Sequence, residues 1–112
     1  MANIINGNTF YVDTASSGST AGSFVSEKDV QVLGIIFTSD TTGNQITVSD
    51  IKQMNDGATA GAGAKKLKVT ISAADETVFL RLADSPIRFP NGIWIESIDS
   101  NSVATILFKN KS

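Results

Sequence analysis

Lys66-Leu67-Lys68-Val69-Thr70-Ile71 makes every second side chain apolar, the alternation of a strand with one face on a core and the other toward water. Gln45-Ile46-Thr47-Val48 and Ser102-Val103-Ala104-Thr105-Ile106-Leu107-Phe108 repeat the period-two pattern, and all three runs are rich in the β-branched residues that suit a pleated surface. An all-β fold follows, an antiparallel β-sandwich or jelly roll of about seven or eight strands.

Outward from these runs the other strands fall into place. Thr9 to Asp13 reads as the first, with Phe10 and Val12 on one face and Tyr11 on the other. The small and polar residues from Thr14 to Ser23 bury too little apolar surface to order themselves and are expected to form a mobile arm. The uninterrupted Val-Leu-Gly-Ile-Ile-Phe within Val30 to Thr38 is expected to be a strand buried on both faces, at the centre of the core. Turn residues Ser39 to Asn44 lead into Gln45 to Ser49 as a hairpin, and Ala73 to Glu76 joins Lys65–Ser72 to Thr77–Ala83 as another. Asp50 to Met54 either extends its strand or forms one helical turn, and Asn55 to Ala64, rich in Gly and Ala, reads as a flexible loop. Pro86 and Pro90 each withdraw a ladder donor, so their segment is a crossing loop or a short edge strand. Gly92–Ile98, a turn at Asp99-Ser100-Asn101, and Ser102–Lys109 close the chain. Residues 1–26 are thus expected to be an N-terminal arm with its first strand, and residues 27–112 the sandwich domain.

Composition narrows the function classes. A chain of 112 residues holds one core. Its apolar residues, 41% of the total, are dispersed with no run of about 18 or more, so neither a spanning helix nor a membrane partner is expected. The opening Met1 to Gly7 lacks a basic region followed by a long apolar stretch, so synthesis in a cytosol is expected. Zero Cys removes disulfides, thiolate nucleophiles and Cys-based metal sites, and zero His removes the commonest acid–base group. A net charge of −2 with scattered Lys and Arg argues against nucleic acid as a partner. The one basic cluster, Lys65-Lys66-Lys68, reads as a solvated strand end or as protection of an edge strand.

No catalytic residue, metal ligand or cofactor site can be nominated. Asp40, Asp56, Asp75, Asp84 and Asp99 nearly all fall in turns, where Asp is favoured because it bonds its own backbone. Calcium through Asp84 or through Asp99 with Asn101 lacks a recognisable ligand spacing. Gly57, Gly61 and Gly63 do not form a phosphate-binding loop. Trp94 points opposite to Ile93 and Ile95, so either the ring or the isoleucines should face the core. Apolar residues on both faces of Ile35–Phe37, Val78–Leu82, Ile93–Ile95 and Val103–Phe108 exceed the needs of one small core and point to a homo-oligomer.

The second half, Lys66-Leu-Lys-Val-Thr-Ile-Ser, Phe79-Leu-Arg-Leu-Ala-Asp, Pro86-Ile-Arg-Phe-Pro-Asn-Gly-Ile-Trp-Ile95 and Ala104-Thr-Ile-Leu-Phe-Lys109, resembles small structural proteins of tailed-bacteriophage virions. The resemblance covers about half of the chain and implies a capsid decoration (cement) protein, a jelly roll that trimerises and sits on the major capsid protein shell. It carries over no site residue. The interface residues expected on the residues' own chemistry are Ile4, Ile5, Phe10, Tyr11, Phe24 and Val25, apolar side chains set in disorder-prone sequence, together with Trp94. A carbohydrate-binding or adhesion module, of the kind found at phage fibre tips, is the alternative and would require an exposed aromatic platform including Trp94 or Tyr11. An enzyme ranks third.

Overall fold

The structure, a computed structural model, describes residues 3–17, 23–26, 28–52 and 61–110. Among these it forms ten strands and no helix: β1 (Ile4–Asn6), β2 (Thr9–Val12), β3 (Val25–Ser26), β4 (Val30–Ser39), β5 (Gln45–Lys52), β6 (Gly61–Thr70), β7 (Glu76–Arg81), β8 (Ile87–Phe89), β9 (Gly92–Ile98) and β10 (Ser102–Asn110). The count exceeds the seven or eight expected because β1, β3 and β8 are only two or three residues long. The signal for β1 was Asn6-Gly7-Asn8: Gly7, at φ 62°, opens a two-residue turn between Asn6 and its partner Thr9.

Two antiparallel sheets result, one in the order β1-β2-β10-β4-β7 with β8 also on β4, the other in the order β3-β9-β5-β6. The pairings are nested. β2 pairs with β10, β3 with β9, β4 with β7, and β5 with β6, so the chain closes like one long hairpin whose successive rungs alternate between sheets. The inner faces of both sheets feed one apolar core. Phe10, Val12, Ile35, Phe37 and Ile106 come from the larger sheet and Ile46, Val48, Ile93 and Ile95 from the smaller, all fully buried.

This nesting overturns both expected hairpins. Ser39–Asn44 links β4 in one sheet to β5 in the other, and the turn at Ala73–Asp75 likewise leads from β6 across to β7. The chemistry of these turns is as expected; their job is to pass the chain between sheets. At one end of the molecule the links are laced together. Asn44 Nδ2 donates to Ser39 Oγ (2.8 Å) and to Ser100 O (3.2 Å), Gln45 N donates to Asp99 Oδ2 (2.8 Å), and Ser102 Oγ bonds Ser39 Oγ (2.7 Å). Asp99 is therefore occupied as a backbone cap.

Two further corrections, and the choice left open at Asp50, have local causes. The Gly/Ala stretch is strand from Gly61 onward, since a Cβ at Gly63 would sit 2.8 Å from Asp50 O and only glycine lets β6 lie so close to β5; residues 53–60, with Asp56 and Gly57, lie outside the described residues. Asp50 extends β5, its carboxylate accepting from Asn91 N (3.1 Å) and Nδ2 (3.2 Å), so no helical turn forms at Asp50–Lys52. The expected mobile arm is tied down by its own chain wherever it is described. Ser16 N donates to Ile95 O (2.9 Å), Ser16 Oγ accepts from Ile95 N (2.8 Å), and Asn3 bonds the backbone of Asp13, Thr14 and Ser23. Residues 18–22 lie outside the described residues.

Gly92 sits at φ 125°, a region L side chains avoid, and a Cβ there would run into Val25 O and against Ile51 Cδ1. Gly92→Ala should therefore destabilise the fold by roughly 3 kcal/mol or more through strain and loss of the β3–β9 pairing. Gly43→Ala, at φ 88° with open space around it, should cost only about 1 kcal/mol. Urea denaturation of the two variants measures the difference.

Candidate functional site

Residues directly opposite one another on antiparallel strands share a face, so register locates the outer surface of the larger sheet. One row runs Ile4, Tyr11, Thr105, Ile36, Phe79 across all five strands. At about 4.8 Å per strand it spans roughly 19 Å. A neighbouring row holds Asn6, Thr9, Leu107, Gly34 and Arg81, and the row on the other side holds Val103, Thr38 and Thr77. Arg81 is the one charge in the three rows, and its guanidinium lies 5.9 Å from the centre of the Phe79 ring.

The face is uncovered by the described residues. Ile4 is 59% exposed, Phe79 55% and Tyr11 37%, with Ile36, Val103 and Leu107 half-buried between them. Gly34 lets β7 lie close to β4, since a Cβ there would sit 2.9 Å from Leu80 O. Thr38 and Thr77 satisfy each other, Oγ1 to Oγ1 at 3.0 Å. The arrangement offers contact area and few directional groups, which suits a packing surface better than a chemical one.

Of the seven residues expected at an interface, this face gathers two, Ile4 and Tyr11. Ile5 lies on the inward side, opposite Phe10, and is 39% exposed at the sheet edge. Phe10 and Val25 belong to the main core. Phe24 and Trp94 pack with Ile51 in a second small cluster, ring centroids 5.0 Å apart and tilted by 49°. These four are therefore spent on the chain's own packing. Trp94 is 7% exposed while Ile93 and Ile95 are fully buried, so the expected choice between them does not arise: β9 is covered on both faces. Trp94 consequently offers no platform for a sugar. Ile36, Val103 and Leu107 were not singled out by residue, although they lie in the runs Ile35–Phe37 and Val103–Phe108 whose two apolar faces were the general signal. Phe79, opposite to Val78 and Leu80, was the visible clue.

The outer surface of the smaller sheet differs in kind. Lys65 Nζ lies 2.9 Å from Glu96 Oε2, and Ser49 Oγ donates to Glu96 Oε1 (2.9 Å). Among the described residues no group of three or more Asp and Glu is placed to hold a metal ion. No family model matches this sequence, and neither the curated proteins nor the solved structures contain a match to it.

The hydrogen bond from Lys65, with that from Ser49, holds the Glu96 carboxyl below its ordinary value of 4.5. A folded-state value below the unfolded one adds stability above about pH 4.5 that is lost as the pH falls through the folded value. The acid limb of the stability curve should thus be shallower in Glu96→Gln, measured as denaturation midpoints between neutral pH and about pH 3.

Proposed function

We propose that this chain is a non-enzymatic structural protein of a tailed-phage virion, a capsid decoration (cement) protein that assembles as a trimer and stabilises the shell by binding the major capsid protein. The observation that carries this reading is the cross-strand row Ile4, Tyr11, Ile36 and Phe79 on the outer face of the larger sheet, where Arg81 is the one charge in that row and the two beside it. A protein that stabilises an assembly by binding only its assembled form needs complementary surface rather than reactive groups.

Two further features support the reading. The nested pairing of β2 with β10, β3 with β9, β4 with β7 and β5 with β6 is the order expected of a jelly roll, an architecture common in viral capsids and also in lectins. A trimer closed about a threefold axis joins two different patches of each copy. The row has two unlike ends for this: Ile4 and Tyr11 at the β1 edge, Phe79 with Arg81 at the β7 edge. Assembly of the chain in a host cytosol before release in the virion is compatible with its lack of Cys.

Light scattering over a range of concentrations tests the reading, with a trimer as the expected mass. Replacing Phe79 and Tyr11 together by Thr, a residue that suits exposed strands, should lower the assembly to monomer. The unfolding free energy at low concentration should stay within about 1 kcal/mol of the parent, because both side chains are exposed. A monomeric parent that also fails to sediment with phage shells would overturn the proposal.

A further inference from the structure

β6 is the outermost strand of the smaller sheet, ten residues long, and among the described residues it pairs only with β5. Its other edge presents backbone donors and acceptors that no described strand meets, and an open edge of that length is a template for a further strand. The ladder to β5 also slips within it. Leu67 stands opposite Val48 and Lys65 opposite Ser49, so Lys66 is an extra residue with no partner. Such a bulge re-aims side chains, and here Lys65, Lys66 and Lys68 come to line one shallow cavity of about 320 Å³ with Thr47 and Leu67.

Lys65 is neutralised by Glu96 at 2.9 Å, whereas Lys66 and Lys68 form no ion pair among the described residues. In a chain of net charge −2 this concentrates positive charge along an unpaired strand edge. Two copies of β6 paired about their lysines would set like charges together, so such a register repels its own kind and favours the opposite charge. Residues two apart on a regular strand lie about 6.8 Å apart on one face, the spacing at which an added partner strand would present alternate side chains to this edge.

We propose that β6 is a docking edge for an extended acidic segment of a partner protein, which adds a strand beside β6 and sets carboxylates at alternate positions against Lys66 and Lys68. The proposal rests on this edge alone and holds whether or not the chain is a virion protein.

The test uses the full chain and a synthetic, end-blocked peptide alternating Glu with Val. Calorimetry should detect binding that weakens as salt is raised. Amide exchange should slow along residues 61–70, and K66E/K68E, with both side chains exposed, should bind about tenfold more weakly or worse. A peptide with Lys in place of Glu should not bind. Absence of binding, or binding unchanged by the charge reversal, would overturn the proposal. So would self-association of K66T/K68T when the parent chain ignores the acidic peptide, since the lysines would then serve only to keep copies apart.

Discussion

Val30, Val32, Ile35 and Phe37 all face the core because the ladder between β4 and β10 absorbs one extra residue at Leu33, between the pairs Phe108–Val32 and Leu107–Gly34. Without that slip a strict alternation would turn half of β4 inside out. β4 is the strand on which the larger sheet is built, flanked by β10 on one side and by β7 and β8 on the other. The bulge is braced from the β7 side, where Leu82 N donates to Leu33 O at 2.7 Å. The bidentate pair Arg88–Asp29, Nη2 to Oδ2 at 2.7 Å, ties β8 to the segment entering β4. Both flanking contacts fix the register that puts the four side chains inward, and the smaller sheet packs on the surface they form.

The same bulge explains how far the sequence could be read. The unbroken Val-Leu-Gly-Ile-Ile-Phe looks like a strand buried on both faces, yet the structure leaves Leu33 and Ile36 half-buried. A phase shift inserts one apolar residue, and an outward Ile supplies the other. Alternation located β2, β5, β7, β9 and β10 to within a residue or a few, because it is a local consequence of one face meeting a core. Partnership was not legible. Asp, Asn and Gly make the same turn whether the next strand pairs with the last or crosses to another sheet, and nothing local distinguishes Ser39–Asn44 as a corner from Ser39–Asn44 as a hairpin. What decides is the nested pairing of strands far apart in sequence.

Legibility of the candidate site divides along the same line. Apolar residues in a polar context marked residues 1–26 as adhesive, and where it is described the segment packs chiefly on its own chain. Phe10, Phe24 and Val25 are consumed by the two clusters of the fold, and only Ile4 and Tyr11 reach the outer row. The surplus of apolar residues on both faces of Val78–Leu82 and Val103–Phe108 was the sounder signal, since each such strand needs one face for the core and has no internal use for the other. For Ile93–Ile95 the surplus was misleading: the chain covers the second face of β9 itself, with Phe24 and Ile51 against Trp94.

The two proposed contact surfaces would bind by different physics. The outer face of the larger sheet would gain from area removed from water, a term that grows with contact and discriminates little among apolar partners. The β6 edge gains little from area: its lysines sit in water, where each exposed pair is worth at most about 1 kcal/mol and fades with salt. Its strength would be exclusion, because a mismatched charge beside Lys66 and Lys68 costs what a matched one gains, and backbone pairing adds affinity only once a strand of the right charge has arrived. A molecule carrying both surfaces would be held by the one and sorted by the other, and the chain sets them on different sheets, where neither proposed contact would compete for the same strands.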